Sequence, residues 1–288
     1  MLKESNKLQA RDAHSLIELQ RLDKKVNWLW IDCMEPDDKE LEIIAEFVKD
    51  TEITKVIEKR QIFSPYRKVN DHILISIPLV AFREKLETHP IYVFAKKKIV
   101  ITVRSRHSSK AIDHTLDTLR DCILKVCEHG NASSFTVNRL FHEVSNENLE
   151  AVMALRTRTD EIEEKALANP GDKQTNKTVF ALKREISNLE RTLWTQRELM
   201  LSIEEGIVPV IQSSEMDKQT LSHAVSNISR ELSFISSNDA ALDSILRLQD
   251  LGMIHRVERT LIYLTLITLI VNFIMILLEV DIIGILTS

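Results

Sequence analysis

The spacing of apolar positions divides the chain into an early part with β-like runs and a later part with helical periodicity. Val26–Cys33 (VNWLWIDC) alternates apolar and polar residues of β-favouring type, and Lys68–Val80 (KVNDHILISIPLV) reads as a further strand. His89–Val103 holds two more, IYVFA and IVITV, parted by the lysines 96–98 as a solvated turn. Between the first two runs, Glu35-Pro36-Asp37-Asp38 supplies a helix start, with a proline near the first turn and acids at the positive end of the helix. LEIIAEFVKD continues that helix, and a second short one is predicted over Thr51–Lys59. Residues 1–25 are polar and read as a loose arm with a short helix.

After Ser109 the spacing is helical. Ala111–Glu128 forms one predicted helix, stopped by Gly130. Ser133 or Ser134 would cap the next, which runs to about Ala168 and breaks at Asn169-Pro170-Gly171. A third covers Lys173–Glu205, with Leu182, Ile186, Leu189 and Leu193 in the 4-3-4 spacing of a coiled-coil seam. Two helices joined by a Pro-Gly turn should lie antiparallel as a hairpin, ended by Gly206–Pro209. The last helix starts near Ser214. Its predicted seam is Leu221, Val225, Ile228, Leu232 and Ile235, weak through Ser236–Ala240 and resumed by Leu242, Leu246 and Met253. A rod of more than sixty residues is on the order of 100 Å long and needs partner helices. Identical rods around a rotation axis are a simple way to supply them.

That helix leads into Leu261–Leu278, eighteen residues without a charge. The length meets the minimum for crossing a hydrocarbon core of about 30 Å. Arg256 and Arg259 precede it and Glu279 and Asp281 follow, so the N-terminal side is expected in the cytoplasm, with a single pass through the cell membrane. Its place far from the start separates it from a cleaved signal. Glu258, Thr265, Asn272 and Glu279 recur every seven residues, one stripe that drifts only about 20° per step. Lipid penalises such a stripe. It faces either another helix, with Asn272 and Thr265 hydrogen-bonding across the contact, or an aqueous path ringed by several copies.

Composition narrows the alternatives. The 288 residues carry a net charge of −5, which provides no basic face for a nucleic acid. Cys33, Cys122 and Cys127 form no C-x-x-C pair, so structural zinc is not expected and a reducing cytosol suits them. The five glycines, at 130, 171, 206, 252 and 284, are too scattered for a phosphate-cradling loop. His142 and Glu143 in FHEVSNE lack the second histidine of a zinc-protease helix, and His142 reads as a surface or packing residue. A cytosolic enzyme with a tail anchor is therefore the weakest class, and neither an enzyme nor an organic cofactor is expected. His255 fits either a pH-sensitive ring or an interfacial anchor. Trp28, Trp30 and Trp194 read as core aromatics, while Lys96–Lys98, Arg104 and Arg106 would face solvent or the inner leaflet.

WLWID (28–32), Pro65-Tyr66-Arg67-Lys68-Val69 before DHILISI, LKREISNLERTLWTQRELM (182–200) and ALANPGD together resemble segments of the CorA family of divalent-cation channels. WLWID opening the first domain and Pro65-Tyr66-Arg67-Lys68-Val69 before DHILISI are similar to the family's tryptophan strand and R-P-K-V region. LKREISNLERTLWTQRELM (182–200) is similar to its L-K-R…L-R…W-x-x-R-E-x-L helix, and ALANPGD resembles its E-x-P turn. The resemblance implies an α+β membrane protein. Residues 1–128 would form a cytoplasmic α/β domain, 131–206 an antiparallel helical hairpin, 214–260 a stalk helix, 261–278 the transmembrane helix and 279–288 a short outer tail. It implies a homopentamer in a lipid bilayer that passes Mg2+, or another divalent cation such as Co2+, Ni2+ or Zn2+, along an axial pore. Aligning RVERTLIYL with the family's N-E-V-M-K-V-L puts Glu258, Leu261, Thr265, Leu269 and Asn272 on the pore side, with Glu279 and Asp281 at the mouth. Glu279, Val280 and Asp281 then stand where the family has Gly-Met-Asn, and its second span and basic tail have no counterpart. Both a clipped sequence and a one-span relative fit this, and a membrane-tethered metal-sensing or scaffold subunit that conducts nothing is the alternative function. For the family's regulatory metal site the positions reached are Glu58 and Thr220, with Asp217 a turn earlier; a charged residue in a solvated loop is the commoner explanation for such positions.

Overall fold

The structure, a computed structural model, describes the chain apart from residues 1, 5–6, 10–14, 16–17, 22–25, 60–65, 83–84, 130–131, 212–214 and 287–288. Side chains at 2–4, 7–9, 122–129, 215–217 and 277–286 also lie outside the description. In chain order the elements are β1 (Leu2–Glu4), β2 (Lys7–Gln9), β3 (Leu29–Met34), α1 (Asp38–Val48), α2 (Ile53–Glu58), β4 (Arg67–Val69), β5 (His72–Phe82), β6 (Leu86–Lys96), β7 (Ile99–Arg104), α3 (Ser109–His129), α4 (Ala132–Ala168), α5 (Lys173–Glu204) and α6 (Glu215–Leu286). Contacts group them into two compact units, Met1–Arg156 with Glu185–Ser237, and Thr157–Arg184 with Asn238–Ser288.

The first unit is built on a mixed sheet of order β2-β1-β3-β7-β6-β5-β4, with β3 and β7 parallel and the neighbouring pairs from β7 to β4 antiparallel. The run expected as one strand over Lys68–Val80 is two. Asn70 takes a left-handed φ of 51°, which an asparagine tolerates, and turns β4 back on β5 with Val69 opposite His72. Its side-chain amide donates to the Lys49 carbonyl at 2.7 Å. Helix α1 has Asp37 as its cap: Asp37 accepts from the Glu40 amide at 2.8 Å, and Glu40 answers the Asp37 amide at 3.0 Å. Its Leu41, Ile44 and Val48 pack with Ile53 and Val56 of α2 onto Leu74, Phe94, Ile101 and Val103 of the sheet.

From His72 to Val80 every β5 residue is buried. β4 covers its outer edge only as far as Leu74, and beyond that point side-chain amides cover it. The Val80 amide donates to Asn148 Oδ1 of α4 at 2.8 Å, Asn148 Nδ2 donates to Gln196 Oε1 of α5 at 3.0 Å, and Gln196 Nε2 donates to the Pro78 carbonyl. A proline fits there because the outer edge of β5 has no strand partner needing its N–H at that point.

Three expectations from sequence are corrected in this unit. Arg104 is buried, not solvent-facing: its guanidinium donates to both oxygens of Asp32, at 3.0 and 2.7 Å, which fastens β7 to β3. Trp30 is core and donates to Thr102 Oγ1 at 3.0 Å, but Trp194 is 46% exposed with the Arg197 guanidinium 5.3 Å from its ring centre. Ser133 and Ser134 lie inside α4 rather than at its cap, where Ser134 reaches the Val210 carbonyl. Gly130, the predicted stop of α3, lies outside the described residues.

The second unit contains the hairpin turn and the later part of α6. Asp172 caps α5 by accepting from the Thr175 amide at 2.8 Å and hydroxyl at 2.9 Å, and those bonds hold its carboxyl below the usual range. Lys183 bridges Asp239 and Asp243 at 2.7 and 2.8 Å.

Candidate functional site

Helix α6 runs 72 residues from Glu215 to Leu286. Its fully buried positions are Leu221, Ala224, Ile228, Glu231, Ile235, Asn238, Leu242, Ile245 and Gln249, a strict 3-4 alternation. The predicted seam was therefore out of phase at half its positions: Val225, Leu232 and Leu246 are half-buried flanks and Met253 is 38% exposed. Ala224, Glu231 and Ile245 take the buried places beside Val225, Leu232 and Leu246. Hydrophobicity alone passes over Glu231, Asn238 and Gln249, although their seven-residue relation to Ala224, Ile245 and Leu242 would have placed them. Among the described residues neither carboxylate oxygen of Glu231 meets a hydrogen-bond partner, and burial pushes its pKa up to about 8.

Beyond Gln249 the surface changes. Every described residue from Leu251 to Ile276 is exposed except the half-buried Gly252. This is one helix long and apolar enough to cross a membrane, with none of its apolar stretch buried. Glu258, Leu261, Thr265, Leu269 and Asn272 all lie on this exposed stretch. Glu258 meets His255 Nδ1 at 3.2 Å, and Thr265 Oγ1 donates to the Leu261 carbonyl at 2.8 Å. Glu279 and Asp281 are helical, but their side chains lie outside the described residues. Nine residues separate Gln249 from Glu258, which is two and a half turns at 3.6 residues per turn. The polar stripe thus runs on the side of the helix opposite its buried seam.

Of the suggested regulatory pair, Glu58 is exposed at the end of α2, on the rim of an open groove of about 760 Å³ shared with Asp38, Glu42 and Glu46. The Asp217 side chain lies outside the described residues. Among the described residues no three His, Cys, Asp or Glu side chains converge so as to hold a metal ion.

Sequence reasoning named His142 and Glu143 but missed the charged cluster they form between α3 and α4. Glu143, 5% exposed, pairs with Arg139 and lies 3.5 Å from His114 and 3.4 Å from His142. Burial pushes its carboxyl up, but His142, Arg139 and His114 outweigh that and hold it below its usual range. One turn on, Glu147 is pushed up to about 7, chiefly by burial, beside the Lys110–Glu150 ion pair. His107 stacks on His89 at 4.0 Å, on the same 250 Å³ cavity as Lys110 and Glu147. His142 is thus a half-buried member of an ion-pair network.

An α+β unit on a mixed sheet, followed by a long heptad-seamed helix with an exposed apolar stretch, describes a membrane protein with one candidate span among the described residues. A family model described as CorA-like Mg2+ transporter protein matches residues 26–272, and the chain belongs to that family. It is 22% identical over 195 residues to the cobalt/magnesium transport protein CorA of Methanocaldococcus jannaschii, a match covering 66% of this chain and 59% of that protein. The complete structure of the CorA magnesium transporter from that organism aligns with a TM-score of 0.70 at 16% identity, over 85% of this chain and 76% of the other. Its soluble domain aligns at 0.62 and 18%, over 79% and 89%. The ZntB cytoplasmic domain from Vibrio parahaemolyticus aligns at 0.53 and 14%, over 80% and 88%. These likenesses establish the fold.

Proposed function

We propose that the chain is a subunit of a divalent-cation channel or transporter, with Mg2+ as its chief cargo, and that five copies place the last helix around a shared axis. The observation that carries this is the half-turn offset on α6. One face, Leu221 to Gln249, is buried within the chain, and the opposite face bears Glu258, Thr265 and Asn272 through an exposed apolar stretch. Copies of the chain would bring that second face together and hide its polar groups from lipid.

Mg2+ gives up its water reluctantly, so the path must offer acceptors to a hydrated ion. Rings of Glu279 and Asp281 would gather cations at the mouth, Asn272 would supply amides at mid-membrane, and Leu261 and Leu269 would gate by dewetting. In this arrangement residues 1–128 form the cytoplasmic domain, 131–206 the hairpin, 214–260 the stalk, 261–278 the span and 279–288 the outer tail. Glu58 and Asp217 would meet a regulatory cation between neighbouring copies. Mg2+ influx into vesicles holding the purified chain tests this. Glu279→Ala and Asn272→Ala should each lower it; both leaving it unchanged would overturn the pore assignment. A wild-type chain that passes no ion would favour a metal-sensing or scaffold subunit.

A further inference from the structure

At the hairpin turn the backbone of Pro170 and Gly171 lies against the backbone of Gly252. A Cβ on Gly252 would stand 2.5 Å from the carbonyl carbon and Cβ of Pro170 and 2.7 Å from the Gly171 nitrogen. A Cβ on Gly171 would stand 3.0 Å from the Gly252 carbonyl carbon and the Met253 nitrogen, and Gly171 has a left-handed φ of 82°. Hydrogen bonds flank the contact on both sides: Gln249 Nε2 donates to the Ala166 carbonyl at 3.3 Å, and the Arg256 guanidinium donates to the Pro170 carbonyl at 3.3 Å. With Lys183 on Asp239 and Asp243, the hairpin is tied to α6 from residue 239 to residue 256. Glycine is the poorest helix former after proline, so its place in the interior of α6 needs a reason. The close approach supplies one.

We infer that Gly252 is a latch point, where the hairpin turn grips α6 roughly 13 Å short of Leu261, and that this grip positions the helix that carries the polar stripe. The positioning half rests on the transport reading above. The docking half does not.

The test uses the full chain with Gly252→Ala, with and without Pro170→Gly. Three measurements are made: the melting temperature in detergent, hydrogen exchange at residues 169 and 171–176, and Mg2+ influx into vesicles well below the variant's melting point. Without a close approach, alanine for glycine inside a helix raises stability. Here Gly252→Ala should lower the melting temperature, speed exchange at the turn about tenfold, and lower influx about tenfold. Pro170→Gly should not rescue it, because the Pro170 carbonyl carbon and the Gly171 nitrogen still block the new methyl group. A raised melting temperature, or rescue by Pro170→Gly, would overturn the backbone latch. Faster exchange with unchanged influx would overturn positioning and leave a packing contact. A wild-type chain without influx would defeat the transport reading and the positioning half with it, while melting and exchange still decide the docking.

Discussion

Glu231 has 0% of its surface exposed, no hydrogen-bond partner among the described residues for either oxygen, and a pKa raised by burial from 4.5 to about 8, against a weaker pull from Arg230. The folded state therefore keeps a proton that the unfolded chain releases. The stabilisation linked to that proton is complete below pH 4.5 and is lost as the pH rises through about 8. The melting temperature of the full chain should accordingly fall between about pH 4.5 and about pH 8 and level off above it. Glu147, with its carboxyl at about 7 and more solvent near it, adds a smaller slope of the same sign. Glu231→Leu should flatten most of the slope and stabilise the fold at pH 8 by roughly 1–3 kcal/mol, since it removes an uncompensated buried acid. Destabilisation by Glu231→Leu would mean that Glu231 is satisfied in the assembled protein.

Among the elements, α4 and α5 are fastened to the outer edge of β5 by two amides. Gln196→Leu or Asn148→Leu leaves a β5 backbone group buried without its partner, at a cost of roughly 1–3 kcal/mol each. The two sit in one chain of hydrogen bonds, so the double variant should lose less than the sum. Urea melts of the three variants measure this, and additive losses would show the amides to be independent. Gln196 lies within the TLWTQRELM stretch that carried the family resemblance, yet its task depends on where β4 ends, which no local pattern encodes. The same limit explains the other differences. Strands and helices were legible because their apolar periods differ, and the breaks at Asn169-Pro170-Gly171 and Gly206–Pro209 because glycine and proline punctuate them. The Asn70 turn was hidden inside an apolar run. The seam of α6 was misphased because three of its core positions are polar, and Arg104 was placed in solvent because its partner, Asp32, is 72 residues away in sequence.

For the whole molecule, the decisive question is what covers the exposed stretch from Leu251 to Ile276, whose large apolar side chains are mostly about half exposed or more. A bilayer can cover the apolar side chains but not Asn272, because an amide in hydrocarbon is penalised by several kcal/mol unless it finds a partner. Asn272→Leu separates the two surroundings. If Asn272 faces lipid, leucine should strengthen insertion and leave ion movement alone. If it faces an axis shared by several copies, one substitution removes a whole ring of amides, and Mg2+ influx should fall about tenfold or more while the detergent-solubilised assembly keeps its mass. The expected outcome is the second, because half a turn separates this stripe from a seam already filled by the chain itself. The seam cannot turn to face lipid without exposing Leu242, Ile245 and Gln249, so the stripe's direction is set by packing outside the membrane. An assembly that runs as a single chain in detergent would remove the axis, and with it the reason for a polar stripe there.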